Sequence, residues 1–207
     1  MKKLVYIFLA CLCLSKYSNA QSNGTDMGLQ KDLFFVGYEI SIPSNNDYLT
    51  RTSWSGARFE YRRMILPNVS VGAAVSYNSF NQYFDKQTYQ RADGTGAVTS
   101  DMIRRVYTSP ITINTHYYMN GDKIKPYLGM GLGAQFSDQS AYFNIYDITE
   151  TNWGFVVRPE FGVLGKFGPS VSGFLSFAYN YSTNSNDDFN IKHFSHFPIT
   201  VGLVFTP

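Results

Sequence analysis

The sequence predicts an all-β chain that folds as an eight-stranded antiparallel up-and-down transmembrane β-barrel. Three observations predict it. In the last segment Phe197, Ile199, Val201, Leu203 and Phe205 are apolar and two apart, with His196, Pro198, Thr200, Gly202 and Val204 between them. Successive side chains of a strand point to opposite faces, so one face of this segment is wholly apolar and ends in an aromatic. The same alternation recurs in seven segments upstream. Short turns and long polar connections then alternate along the chain, the rhythm of a barrel with tight hairpins at one rim and long loops at the other.

Ahead of the strands, the first 20 residues read as a signal peptide. Lys2 and Lys3 supply the positive region, residues 4–14 an apolar run too short to span a bilayer as a helix, and Ser18-Asn19-Ala20 a small-x-small cleavage site. Cleavage leaves 21–31 as a periplasmic N-terminal segment and 32–207 as an outer-membrane barrel. Cys11 follows Phe8-Leu9-Ala10, which fits a lipoprotein signal poorly. Both cysteines, Cys11 and Cys13, lie in this leader, so the mature chain has no disulfide and no thiolate metal site. Lys2, Lys3 and Lys16 leave with it, and 14 basic residues then face 15 acidic ones, a net charge of −1 in place of +2. The basic balance of the whole chain is therefore no argument for nucleic acid. Charged residues make up 15% and aromatics 17%. Mean hydropathy is slightly negative, as expected when half of each membrane strand faces inward.

The strands are expected over 32–42, 53–65, 69–83, 104–119, 124–137, 153–167, 171–181 and 194–205, each long enough to cross the apolar layer. In the first, Phe34, Val36, Tyr38, Ile40 and Ile42 share a face; in the second, Ala57, Phe59 and Tyr61; in the third, Val69, Val71, Ala73, Val75 and Tyr77. The fourth offers Tyr107, Ile111, Ile113 and Tyr117, and the fifth Ile124, Pro126, Leu128, Met130, Leu132, Ala134 and Phe136. The sixth and seventh give Trp153, Phe155, Val157, Phe161 and Val163, then Leu175, Phe177, Tyr179 and Tyr181. Tyr and Trp gather near the ends of these faces, as in an aromatic girdle. Leu66-Pro67-Asn68, Asn120-Gly121-Asp122 and Gly168-Pro169-Ser170 are short turns. The connections 43–52, 84–103, 138–152 and 182–193 are longer and polar, and are expected outside the cell.

The opposite faces are expected to be small or charged. Gly129, Gly131 and Gly133 fall inward on the fifth strand, and Glu39, Arg58, Glu60, Arg62, Arg158 and Glu160 fall inward elsewhere. An eight-stranded lumen is only wide enough for side chains to fill it. Charges there have to pair, because an unpaired buried charge is very costly. The second and sixth strands stand opposite each other in the ring, so Arg58, Glu60 and Arg62 are expected to meet Arg158 and Glu160 across the lumen, with Glu39 joining them.

At these residues the chain resembles a family. Lys125-Pro126-Tyr127-Leu128-Gly129-Met130-Gly131-Leu132-Gly133 is similar to the K-P-Y-x-G-x-G-x-G strand of small outer-membrane β-barrel proteins of the OmpX, OmpW and OmpA-barrel kind. Ile199, Val201, Leu203 and Phe205 resemble the signal read by the barrel assembly machinery, although Thr206 and Pro207 follow the final aromatic. The resemblance implies a Gram-negative outer membrane, insertion by that machinery, and contact with outer-membrane lipid and lipopolysaccharide. Its members have varied roles, so it does not fix function.

No motif specifies a reaction, and neither catalytic residues nor a cofactor are expected. His193-Phe194-Ser195 matches the start of the His-x-Ser-Asn motif of lipid A deacylases, but His196 stands where Asn belongs and no acid follows on that strand. His116 points into the lumen by parity. Three scattered His without Cys predict no metal site. The stretch from Tyr89 through Arg91 to Asp93-Gly94-Thr95-Gly96 lacks the Lys and strand–loop–helix context of a phosphate loop. A soluble lipocalin-like ligand binder, which turns its apolar face inward, is the structural rival. The function expected is a porin-like or surface-interaction role without catalysis, with aromatic loops at Tyr83, Tyr89, Tyr142, Phe143 and Tyr146 as a contact surface for an extracellular partner. The alternative is a narrow channel for small solutes gated by the lumen charges.

Overall fold

In the computed structural model, β1 (Asp32–Ser44), β2 (Ser55–Leu66), β3 (Val69–Gln90), β4 (Ala97–Tyr118), β5 (Ile124–Phe143), β6 (Tyr146–Lys166), β7 (Val171–Ala178), β8 (Asn180–Ser182) and β9 (Phe194–Phe205) form one antiparallel sheet. The structure describes residues 29, 31–44, 48–90, 95–121, 123–143, 146–168, 170–186, 189 and 191–207. The proposed leader and cleavage site lie outside them.

From β2 to β7 each strand pairs with the one before it, β7 and β8 both pair with β6 and β9, and β1 pairs with β9 from Phe34↔Phe205 to Ser44↔Ser195, which closes the ring. Closure leaves the barrel without a free edge. β7 and β8 are one strand interrupted at Tyr179. The register against β6 is the same on both sides of the break, from Glu160↔Ala178 to Val157↔Tyr181. Pro159, opposite the gap, has no N–H to give the ladder; the Tyr179 N–H still donates to the Pro159 carbonyl at 3.1 Å. The ring is therefore eight-stranded.

The faces follow the alternation. Phe34, Val36, Tyr38, Phe59, Val75, Ile113, Leu132, Phe155, Val201 and Leu203 are all exposed on the outside of the ring. So many large apolar side chains facing outward all round the barrel form a belt that water would not tolerate but lipid does. This orientation contradicts the lipocalin-like alternative, which needs the apolar face inside.

Two expectations are corrected. The segments 84–103 and 138–152 are not open loops. β3 and β4 stay paired out to Gln90↔Ala97, and β5 and β6 to Phe143↔Tyr146. β2 leaves β3 at Ser55↔Ser79, and β8 leaves β6 at Val156↔Ser182. Beyond those points β3–β6 continue as a four-stranded sheet as far as Ile103↔Tyr142, and β3 and β4 go on as a two-stranded hairpin. β3 runs on for eleven residues past Ser79, a length of roughly 35 Å measured along the strand. A shift of register between Phe84 and Gln87 twists its β3 edge.

The inward faces, second, are not small or charged throughout. At the short-turn end Leu33, Phe35, Tyr118, Tyr127, Leu164, Phe174 and Val204 form a buried cluster. At the long-loop end Tyr48, Leu49, Phe80, Val106, Ile191 and Phe194 form another. Charged and polar side chains fill the space between. A polar filling sealed by apolar layers keeps its ion pairs out of water at both mouths.

Candidate functional site

The six charges singled out in the sequence meet in the middle of the lumen. Arg58 Nη2 lies 2.9 Å from Glu60 Oε2 and 3.7 Å from Glu160 Oε2. Arg62 Nη2 lies 3.0 Å from Glu60 Oε2 and 3.1 Å from Glu160 Oε1, so it bridges β2 to β6 across the barrel. Arg158 Nη2 lies 2.9 Å from Glu39 Oε2, and its Nε 3.5 Å from Glu160 Oε2. Three guanidinium groups face three carboxylates, and all six residues are buried. The cluster is thus neutral in sum, the condition under which buried charge is tolerable.

Neutral groups add hydrogen bonds to each carboxylate. Tyr127 Oη donates to Glu160 at 2.8 Å, Asn114 Nδ2 to Glu60 at 2.8 Å, Asn78 Nδ2 to Glu39 at 2.8 Å and Thr200 Oγ1 to Glu39 at 2.9 Å. The Arg62 guanidinium lies 3.9 Å above the Phe35 ring and 4.6 Å from that of Tyr127, anchoring the network to the short-turn cluster. Sequence reasoning missed Tyr118 and Tyr127, although Tyr127 has the inward parity of Gly129. The inward glycines make room for neighbours. A Cβ on Gly129 would sit 2.8 Å from His116 Nε2, and one on Gly131 would strike Asn114. The glycine-rich face is therefore occupied space, not an open bore.

His116 Nε2 stands 3.6 Å from Glu60 Oε1. Glu60, His116 and Glu160 bring one ligand atom each within 4.8 Å of one another, the one such group among the described residues. They do not fit a metal ion: Arg58 and Arg62 already hold the carboxylate oxygens that would bind it, and a cation placed among guanidinium groups is repelled.

At the long-loop mouth the connection after β1 bends over the lumen. Tyr48 Oη donates to the Ser140 carbonyl on β5 at 2.9 Å, and Arg104 Nη1 donates to the Tyr48 carbonyl at 3.1 Å. The Thr50 N–H donates to Gln82 Oε1 at 2.7 Å, and the Tyr48 ring stacks on Phe189 at 4.7 Å. Burial pushes the Tyr48 phenol above its ordinary range, so it keeps the proton it donates.

The other residues singled out are scattered. Ser195 Oγ donates to the Ser44 carbonyl at 2.9 Å, and His193 packs against Tyr181 at 5.3 Å. Tyr89 and Phe143 pack edge to face at 5.2 Å, and Tyr142 lies under Arg105 at 5.1 Å, while Tyr83 remains exposed. The Tyr146 side chain, Arg91, Asp93 and Gly94 lie outside the described residues. Ile199, Val201, Leu203 and Phe205 keep the outward side of β9.

The chain matches no protein-family model, and no curated protein matches it in sequence. Solved structures match its fold. Neisserial surface protein A aligns with a TM-score of 0.57 at 14% identity, over 84% of this chain and 96% of that one. A major outer membrane protein from Thermus thermophilus aligns with a TM-score of 0.52 at 9% identity, over 84% and 98%. Ail, the attachment invasion locus protein of Yersinia pestis, solved with the heparin analogue sucrose octasulfate, aligns with a TM-score of 0.50 at 16% identity, over 86% and 100%. At such identities the likeness is one of fold: this chain has the fold of the small outer-membrane β-barrels.

Proposed function

We propose that this chain is an integral β-barrel of the bacterial outer membrane with a surface-interaction role, performed by the raised β3–β6 sheet. The apolar belt fits it to lipid, and the signal-like leader fits it to export. The short turns then lie in the periplasm and the long-loop end outside. The observation that carries the role is the contrast between the two ends of its chemistry. The lumen is filled by paired charges and capped by apolar clusters at both mouths, which favours surface interaction over solute passage. The raised sheet, by contrast, exposes Tyr83 and Ile103 on paired strands that hold them rigidly. Rigid aromatic and apolar groups suit contact with a protein partner.

Ail is solved with a sulfated sugar analogue. The raised part of this chain suits such a polyanion less well. Its basic residues Arg51, Lys86, Arg104, Arg105 and Lys192 are matched by Asp85, Asp101, Asp138, Asp147 and Glu150. Arg104 is also engaged by Tyr48 and Phe84, and Arg105 by Asn81.

The test is to replace residues 86–100 by a two-residue Asn-Gly turn, which leaves every strand pair below Phe84↔Met102 in place. Bacteria displaying the trimmed chain are expected to lose adherence to cultured host cells while the barrel remains folded. Undiminished adherence by the trimmed chain and by a Tyr83→Ser, Ile103→Ser double variant would remove the raised sheet from the proposal.

A further inference from the structure

Between the ion cluster and the apolar cluster at the long-loop mouth, the lumen has a polar layer whose hydrogen bonds do not close. Thr108 on β4 is fully buried, and its Oγ1 has no hydrogen-bond partner among the described residues. The same holds for Ser76 Oγ on β3 and for Gln135 Oε1 and Gln139 Oε1 on β5, all three residues being buried. The register of the strands brings the four together. Thr108 pairs with Asn78 on one side and with Ser137 on the other. Ser76 lies two residues from Asn78, and Gln135 and Gln139 lie two residues to either side of Ser137, so all three are inward diagonal neighbours of Thr108. Diagonal positions of an antiparallel pair are about 7–8 Å apart, and their side chains closer. One molecule that accepts and donates at about 2.8 Å spans such a gap.

The ladder is interrupted at the same place. Pairing of β3 with β4 runs as far as Val75↔Ile111 and resumes at Asn78↔Thr108. The register is unchanged across the break, which sets Ser76 opposite Pro110, and proline has no N–H to give. The layer is closed at both ends. On one side Arg58 of the ion cluster pairs with Ser76. On the other Gln139 pairs with Val106 and Val106 with Phe80, both in the apolar cluster. Neighbouring polar groups are already engaged. Asn78 donates to Glu39 and accepts from Ser41, Gln135 Nε2 donates to Ser182 Oγ at 2.8 Å, and Gln139 Nε2 donates to Ser137 Oγ at 3.2 Å. Two amide oxygens that only accept, and two hydroxyls that do both, are left over.

A buried polar atom without a partner is costly. Four around one residue call for a molecule that both donates and accepts, small enough for a closed layer. Water meets this, with the two to four polar partners that an internal water needs. An anion has nothing to offer an amide oxygen, and no carboxylate is among the four to hold a cation. We propose that Thr108, Ser76, Gln135 and Gln139 bind a small cluster of internal water molecules, which donate to the two amide oxygens and bridge them to the two hydroxyls. The cluster ties β3, β4 and β5 together beside the break in the ladder, and carries the polar filling of the lumen from the ion pairs to the apolar cap. It depends on the closed ring alone and not on what the raised sheet contacts.

Thr108→Val tells bound water from an unpartnered hydroxyl, because it removes the hydroxyl and keeps the shape. A buried hydroxyl without a partner destabilises, and its loss raises stability; one bonded to water stabilises, and its loss breaks the bridge. The refolded mature chain in lipid vesicles is unfolded in urea. Thr108→Val is expected to lower the midpoint, and Ser76→Ala to lower it by less. In crystals of the refolded chain, density is expected about 2.8 Å from Thr108 Oγ1 and from an amide oxygen of Gln135 or Gln139. A midpoint unchanged or raised by Thr108→Val overturns the site, as does a well-ordered lumen with no density beside Thr108. Density about 2.4 Å from its oxygen partners marks a metal cation and equally overturns it.

Discussion

Arg62 is the residue on which the lumen network turns. It touches two carboxylates and lies against the Phe35 ring, with Tyr118 Oη 3.2 Å from its Nη1. Arg62→Met leaves one carboxylate uncompensated in a buried place, and is expected to cost about 3–5 kcal/mol in urea unfolding of the lipid-reconstituted protein. Adding Glu160→Gln restores neutrality and is expected to recover part of that loss; a double change that costs the full sum of the two singles would deny that the pair is coupled. Gly129→Ala tests the packing beside it. The new Cβ would push the His116 ring, held between Tyr118 and Tyr127 at 6.5 and 5.5 Å, and is expected to destabilise by about 1–3 kcal/mol. At this scale parity alone placed the six charges inward, because a strand offers only two faces. It did not place Tyr118, Asn114 and Asn78 as their partners, because which inward groups touch depends on the register between strands far apart in sequence.

At the scale of the element, β9 is the strand most fully legible in the sequence, and β3 through β6 the least. Within the membrane the two sides of a strand meet different surroundings, so the sequence alternates. Past the rim both sides of Gln87, Thr88, Thr99 and Ser100 meet water or polar neighbours, and a paired strand there has the composition of a loop. The apolar clusters at the two mouths were hidden for a related reason. Phe35, Phe80 and Phe194 stand at inward positions, Phe35 beside the outward Phe34, so an apolar side chain falls on the face that alternation assigns to polar ones. The depth of β9 gives its own test. Val201 faces out and Thr200 in, where its hydroxyl bonds Glu39. Val201→Arg is expected to cost about 2–4 kcal/mol at the bilayer midplane, read as a shift in urea-dependent refolding into vesicles. A refolded protein indifferent to that change would mean that this face does not meet lipid.

For the molecule as a whole, the closed ring and the strands that extend beyond it are separate parts. The ring is held rigid by a neutral ion cluster and by β1 closing on β9. Outside it, the connection carrying Tyr48 and the segment carrying Phe189 and Ile191 cover the mouth, and the β3–β6 sheet rises beside them. In the proposed role, a lumen so closed leaves the barrel as a mount for that sheet. The most direct measurement is conductance of the refolded chain, residues 21–207, in a planar lipid bilayer, alongside a flotation control that shows insertion. Inserted protein is expected to be electrically silent. Reproducible single-channel steps that change when Glu60 or Arg158 is neutralised would contradict the closed lumen and make the charge cluster the lining of a pore.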